Sequence, residues 1–360
     1  MSVVGARPQF IKAAMVSAAL KEFAVDEIIV HTGQHYDYEM SRLFFEQLGI
    51  PEPRYNLEIG SNSHGAQTGR ILEQIESVML NEKPDMVVVY GDTNSTLGGA
   101  LAAAKLHIPI AHVEAGLRSF NRRMPEEINR VVTDHLSDLL FVPTESAIIN
   151  LRREGIEDSR VIVTGDVMLD SVRKLAPLYL DGRDRLLNRL EVSERRYFIA
   201  TVHRAENTDE IGRLRSIVGA FGEIARTIAP ILWAVHPRTR KKLDELQIVA
   251  PEQVRLVDPL GYLEMQTLLT AARGVLTDSG GLQKEAAFHG VPTATLRDET
   301  EWPETVNAGC NVLTGAAYEK IVAAAAKMSG RVIAPSGFGD GNAAAVIAKA
   351  IASWSNREKT

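Results

Sequence analysis

Short runs of β-branched and apolar residues alternate with longer amphipathic stretches along nearly the whole chain. The strand-like runs are Val25–His31, Asp85–Tyr90, Ile108–Val113, Leu139–Val142, Arg160–Thr164, Tyr197–Val202, Ile231–Val235, Val254–Val257, Gly274–Thr277 and Pro292–Leu296. Several are apolar throughout, the pattern of parallel strands covered on both faces. Between them the apolar spacing predicts helices over Pro8–Phe23, Gly65–Asn81, Thr96–Leu106, Pro125–Leu136 and Gly261–Ala272. Pro8 and Pro125 stand at helix starts, where a missing N–H costs nothing. The β-α-β-α rhythm predicts doubly wound parallel sheets, and there are too many strands for one. We therefore expect an α/β chain of two Rossmann-like domains, residues 1–166 and 167–342, with the apolar-faced helix within 343–360 packing back on the first. The break near Gly165–Pro177 precedes a charged, helical stretch, Leu180–Arg196, and a fresh strand at Tyr197. Two such domains would face a central cleft, with ligand between the carboxyl ends of both sheets.

Composition narrows the classes. The 360 residues are 45% hydrophobic and 24% charged, which suits two globular domains. Forty Lys and Arg against 46 Asp and Glu leave a formal net charge of −6, which argues against a nucleic-acid partner. The single cysteine, Cys310, allows no internal disulfide and no multi-cysteine zinc site, which fits a reducing compartment. No apolar run approaches the roughly 18–20 residues of a membrane helix, and no basic and apolar leader opens the chain. The expectation is a cytoplasmic protein with no membrane partner.

The polar residues gather at strand ends. The clusters are Gly5-Ala-Arg-Pro-Gln-Phe-Ile-Lys12, His31-Thr-Gly-Gln-His35, Gly91-Asp-Thr-Asn-Ser95, His112-Val-Glu-Ala-Gly-Leu-Arg118, Thr201-Val-His-Arg-Ala-Glu-Asn207, His236-Pro-Arg238 and Thr277-Asp-Ser-Gly-Gly281. All seven fall at the sheet edge where α/β folds bind ligands. In Asp278-Ser-Gly-Gly-Leu-Gln-Lys-Glu285 a strand runs through two glycines into a helix. Ser279, Gly280 and Gly281 offer backbone N–H groups to a phosphate, and Glu285 offers a carboxylate to ribose hydroxyls; the plain alternative is a helix cap by Ser279. Neither G-x-G-x-x-G nor G-x-x-x-x-G-K-[ST] occurs, so the dinucleotide and P-loop fingerprints are both missing. Asp92 and Glu114 interrupt apolar strand ends, where burial raises a carboxylate toward working pH. Glu126 and Glu127 open a helix that the dipole would favour in any case. No spacing requires a metal, although Asp92 and Asp278 are of the right type. Arg7, Lys12, Arg118, Arg130, His203 and Arg238 supply positive charge; Arg130 stands at i+4 from Glu126, so a helix ion pair is its structural alternative.

Taken together and in this order, the clusters resemble the non-hydrolysing UDP-N-acetylglucosamine 2-epimerases over almost the whole chain. The resemblance rests on Gly5-Ala-Arg-Pro with Lys12, His31-Thr-Gly-Gln-His35, Gly91-Asp-Thr, His112-Val-Glu-Ala-Gly-Leu-Arg118, Met124-Pro-Glu-Glu-Ile-Asn-Arg130, His203-Arg-Ala-Glu-Asn207 and Asp278-Ser-Gly-Gly-Leu-Gln-Lys-Glu285. It implies a GT-B-like fold, a homodimer, no redox cofactor and no metal. It also implies a UDP-sugar substrate, with Arg7, His203, Ser279, Gly280 and Glu285 holding the UDP, Lys12, Asp92, Glu114 and Glu126 around the sugar, Arg130 and Gly281 among the further groups that bind the UDP-sugar, and Lys12 and His203 sharing in the chemistry. The implied reaction interconverts UDP-GlcNAc and UDP-ManNAc by eliminating UDP to 2-acetamidoglucal and adding it back, supplying ManNAc-type sugars to cell-surface polysaccharide. Three features depart from the common pattern: a clipped first strand at Ser-Val-Val-Gly, Lys284 in place of a second acid, and His236-Pro-Arg-Thr-Arg240 in place of a His-x-Asn-Pro turn. Many bacterial relatives are activated by their own substrate; here Gln34, His35, Arg70 and His236 would form that effector site, and the third departure predicts weak or absent activation. Competing readings are a relative acting on a UDP-diacetamido-uronate, a hydrolysing epimerase, a GT-B glycosyltransferase and a UDP-sugar sensor. The transferase needs one base and the sensor none, whereas this chain carries three candidate carboxylates.

Overall fold

The computed structural model describes residues 1–34 and 48–357. They form two compact units, Met1–Arg173 with Gly337–Thr360, and Lys174–Ser336. The first unit carries a seven-stranded sheet of β1 (Ser2–Val4), β2 (Ile29–His31), β3 (Tyr55–Asn56), β4 (Val87–Tyr90), β5 (Ile110–Val113), β6 (Leu139–Val142) and β7 (Val161–Val163). Its order is β3-β2-β1-β4-β5-β6-β7, and every pairing is parallel. Val3 lies opposite Val30 on one side and Val89 on the other, so the apolar runs stack across the sheet. β1, β4, β5 and β6 are buried at every position, which explains why their sequences are apolar apart from Ser2 and His112. The run Val25–His31 yields a strand only from Ile29, because its start closes the preceding helix: Val25 N donates to Leu20 O at 3.1 Å, and Ala24 is left-handed.

The first unit extends past the expected boundary to Arg173, through all but the last residue of the helix Val167–Lys174, where Asp170, fully buried, accepts from Ala343 N (3.1 Å) and Ala344 N (2.8 Å) at the start of the helix Ala343–Arg357. That last helix packs on the helix Arg7–Glu22.

The second unit carries β8 (Phe198–Thr201), β9 (Ile231–Ala234), β10 (Val254–Val257), β11 (Gly274–Thr277), β12 (Thr293–Thr295) and β13 (Asn311–Leu313), in the order β10-β9-β8-β11-β12-β13, again all parallel. Alternate residues of β9 feed two cores: Ile231 and Trp233 join Phe221 and Ile224, while Leu232 and Ala234 join Tyr197 and Leu268. The stretch Leu180–Arg196, expected as one helix, is broken: Ala176–Leu180 and Arg183–Arg189 flank Gly182, whose φ of +74° no helix accommodates. In both sheets the strand order reverses beside the first strand of the unit, between β1 and β4 and between β8 and β11. The loops after those four strands open at topological switch points, where α/β sheets receive ligands.

Candidate functional site

In the first unit, Gln9 joins the loops after β1 and β4. Its Oε1 accepts from Gly5 N (2.8 Å) and Ala6 N (3.0 Å), and its Nε2 donates to Tyr90 O (2.8 Å). Arg7 opens the following helix and is half-buried. One turn on, Lys12 forms an ion pair with Glu114, their side chains only 7% and 12% exposed. The two line a small recess with Thr164, Gly165 and Asp166. Gly91 leaves this pair its space: at φ +62°, a Cβ there would stand 3.2 Å from Lys12 Nζ and 3.3 Å from Glu114 Oε2. Glu114 itself is left-handed, at φ +73°, a conformation that costs a non-glycine residue about 1–2 kcal/mol and concentrates at functional sites. The turn is held by Glu114 N and Ala115 N, which both donate to Phe141 O at 3.1 and 3.0 Å.

Asp92 follows β4 and receives Arg130 Nη1 at 2.6 Å. Burial pushes its carboxyl above the usual range; Arg130 opposes the rise, and the charges of Glu126 and Glu114 add to it. Asp92 therefore lies within electrostatic reach of both Glu114 and Glu126. Glu126 and Glu127, alike in sequence, have different tasks. Glu127 is buried and accepts from Ser119 N (2.9 Å) and Phe120 N (2.8 Å), whereas Glu126 is half-buried on the side of Asp92. Arg130, 2% exposed, pairs at i+3 with Glu127 (3.0 Å) as well as with Asp92. It is an internal brace of the carboxylate cluster.

In the second unit, His203 follows β8 and Asp278 follows β11. The fully buried Asp278 carboxylate accepts from His203 N (3.0 Å), Arg204 N (3.0 Å) and Asn207 Nδ2 (3.1 Å), and lies 3.2 Å from His203 Nδ1. Burial alone would raise its pKa, but the His203 ring and these donors hold it down at about 2. Committed to those donors, Asp278 is a structural anchor for the His203 loop. Ser279 caps the helix Gly280–Phe288, its Oγ accepting from Leu282 N at 3.4 Å. The cap alone does not account for the glycines. A Cβ on Gly281 would meet nothing within 4 Å, and one on Gly280 only Glu301 Oε2 at 3.6 Å and Trp302 Nε1 at 3.7 Å. Internal packing does not demand glycine at either position, and the first-turn N–H groups have no partner within the helix. Glu285, buried one turn on, accepts from Gln266 Nε2 (2.9 Å), while Gln266 Oε1 accepts from His289 Nε2 (2.8 Å). Burial, with Arg331 nearby, lowers His289 to about 4, so it donates as a neutral ring. Lys284 is buried with its ammonium 4.0 Å above the Trp302 ring.

A family model described as UDP-N-acetylglucosamine 2-epimerase matches residues 18–352. The chain belongs to the UDP-N-acetylglucosamine 2-epimerase family. Among similar relatives, a UDP-2,3-diacetamido-2,3-dideoxy-D-glucuronate 2-epimerase from Pseudomonas aeruginosa is 52% identical over 362 residues, 98% of this chain and 99% of the relative. A UDP-N-acetylglucosamine 2-epimerase from Methanocaldococcus jannaschii is 48% identical over 89% of this chain and 90% of its own length. The crystal structure of the Methanocaldococcus jannaschii UDP-GlcNAc 2-epimerase in complex with UDP-GlcNAc and UDP matches with a TM-score of 0.92 at 44% identity, covering 98% of this chain and 99% of that one. The paired Rossmann-like units of this family member are GT-B-like, as the motif resemblance implied.

Of the residues expected to form an effector site in this epimerase, Gln34 is engaged internally, its Oε1 accepting from Ser95 N (3.0 Å) and Ser95 Oγ (2.7 Å). Arg70 is exposed on the helix His64–Glu82, and His35 lies outside the described residues. In the second unit His236 is exposed, its ring 5.9 Å from that of His203. The two added cations beyond it reach carboxylates, Arg238 to Asp209 (2.6 Å) and Arg240 to Asp258 (3.7 Å). Among the described residues no group of three or more His, Cys, Asp or Glu stands together as a metal-ligand set, and no helix is long and apolar enough to cross a membrane. Sequence reasoning missed Glu127, Asp134 and Gln266 as supports. For the first two a signal existed: Glu127, Arg130 and Asp134 repeat at i, i+3 and i+7 on the buried face of the helix Pro125–Leu136.

Proposed function

We propose that the protein interconverts UDP-GlcNAc and UDP-ManNAc by eliminating and re-adding UDP. C2 of the sugar bears an N-acetyl group but no neighbouring carbonyl, so its hydrogen is a very weak acid until the anomeric C–O bond begins to break. As that bond's electron pair leaves with UDP, positive charge builds at C1. A carboxylate takes the C2 proton, and the C–H electrons close the C1=C2 double bond of 2-acetamidoglucal. Return of a proton to the opposite face, with UDP re-added at C1, gives the epimer. The route asks for carboxylates at the sugar and donors at the diphosphate. The observation that carries the reading is the cluster of Asp92, Glu114 and Glu126, two of them braced by Arg130 and Lys12, with the rise in the Asp92 pKa suiting it to proton transfer. Arg7, His203, Ser279, Gly280, Gly281 and Glu285 would hold the UDP, with the uncrowded glycines letting its oxygens reach the backbone. We further propose that the enzyme acts as a cytoplasmic homodimer that provides ManNAc-type sugars for cell-surface polysaccharide.

The 52% identity to a diacetamido-glucuronate epimerase favours a second reading, the same C2 chemistry on a UDP-2,3-diacetamido-uronate. Incubation in D₂O with each UDP-sugar, followed by NMR at C2, tests both. Deuterium should enter C2 as the epimer forms, with no added nicotinamide. Epimerisation that keeps the original hydrogen would overturn the elimination route, and turnover of the uronate alone would replace the first substrate with the second.

A further inference from the structure

Beneath the carboxylate cluster lies a buried group of charges that the chemistry above does not use. His112, the middle of β5 and fully buried, points both ring nitrogens at oxygen: Nδ1 is 2.7 Å from Asp134 Oδ1, and Nε2 is 2.7 Å from Gly91 O. A carbonyl oxygen only accepts, and so does an ionised carboxylate. Asp134 is held in that form against its burial by the Arg118 guanidinium, which lies on its second oxygen. It is fully buried and also accepts from Gly116 N (3.1 Å) and Arg118 Nη1 (2.7 Å), and Arg118 in turn forks onto Glu154 with two bonds of 2.7 Å. A ring between two acceptors satisfies both only with a proton on each nitrogen.

We infer that His112 is a positioning residue, a buried imidazolium that ties the turn carrying Asp92 to the turn carrying Glu114. The inference rests on the reading of those two carboxylates as the proton-transfer groups. The connection is short on both sides. His112 Nε2–H fixes the carbonyl immediately before Asp92, while Gly91 N donates to Val113 O (2.9 Å), the residue immediately before Glu114. Asp134 binds the ring with one oxygen and, with the other, the backbone of Gly116, two residues beyond Glu114. A neutral ring would present a bare nitrogen to one of these oxygens and release a turn. Misplacement of a reacting group by about 1 Å costs on the order of 10²-fold in rate.

Protein labelled with ¹⁵N-histidine gives the test. The His112 signals, identified by their loss in His112→Gln and, independently of any variant, by through-space contacts of the ring protons to the Gly91 and Asp134 backbone, should show both ring nitrogens protonated at pH 7.5 in the wild type and only one in Asp134→Asn. Asp134→Asn should lower kcat by about 10–100-fold while leaving UDP affinity within about twofold, since no group assigned to UDP is touched. A bare ring nitrogen in the wild type overturns the inference whether or not the variants fold, and so does wild-type kcat in Asp134→Asn. Wild-type protein that binds UDP but never exchanges C2 of either UDP-sugar would overturn the proposed function instead, leaving the ring measurement to stand on its own.

Discussion

Asp278→Asn isolates the charge that anchors the His203 loop. The carboxyl lies at about 2 in the folded protein against an ordinary value of 3.8. A tenfold change in proton affinity is worth roughly 1.4 kcal/mol, so the ionised form contributes about 2 kcal/mol at neutral pH. The sign follows from the depression: the contribution is complete above about pH 4 and disappears as pH falls through about 2. Asparagine keeps the size and loses the charge. It also turns an amide N–H₂ toward Arg204 N or Asn207 Nδ2, a buried mismatch whose cost does not depend on pH. Thermal unfolding followed by tryptophan fluorescence reads the second unit, where Trp233 and Trp302 are buried. At pH 7 the charge alone should separate wild type and variant by about 4–8 °C, the shift that ~2 kcal/mol produces in a unit of roughly 150–250 residues. The gap should narrow as pH is lowered from 4 toward 2. A gap of constant width over that range would refute the assignment of the stabilisation to the ionised carboxylate.

Three further outcomes follow from the site. Asp92→Asn, Glu114→Gln and Glu126→Gln should each lower kcat by about 10²–10⁴ with little change in UDP affinity; near-normal turnover in Glu114→Gln would make that residue structural, and calorimetry with UDP checks the second half. Gly281→Ala should leave the melting temperature unchanged or slightly raised, because its Cβ meets nothing within 4 Å and alanine favours a helix, yet it should weaken UDP binding; wild-type affinity by calorimetry would leave the helix start as a cap only. Initial rates from UDP-ManNAc should rise little on small additions of UDP-GlcNAc, and a strict requirement for such additions would restore His236 to an effector-binding role.

The sheets were legible because burial on both faces forces apolar residues into every position of β4 and β6 and into all of β5 but His112. The short edge strands were not: β3 has two half-buried residues, and β13 ends outside the apolar pattern, with Val312 exposed. The clusters at strand ends were legible because Gly91, Asp92, Glu114 and Asp278 interrupt apolar runs. Periodicity cannot say which charge faces inward within a polar stretch, so Glu126 and Glu127 read alike although only Glu127 is buried against backbone donors. Nor can it show which polar groups the fold also engages internally. Arg130 and Gln34 match ligand-binding motifs, and both are bonded to neighbours that only the folded chain brings near.

The last helix has a consequence for how the molecule is made. A ribosome delivers the strands of the first unit early, and domains tend to fold as they emerge. The pocket around Asp170, however, lacks the N–H groups of Ala343 and Ala344 until the second unit has been synthesised in full. The nascent first unit must wait with its helix Arg7–Glu22 uncovered on the face that the helix Ala343–Arg357 will occupy. The second unit, encoded in one uninterrupted stretch, can complete itself in the meantime, so the half of the chain that starts first is the half that finishes last.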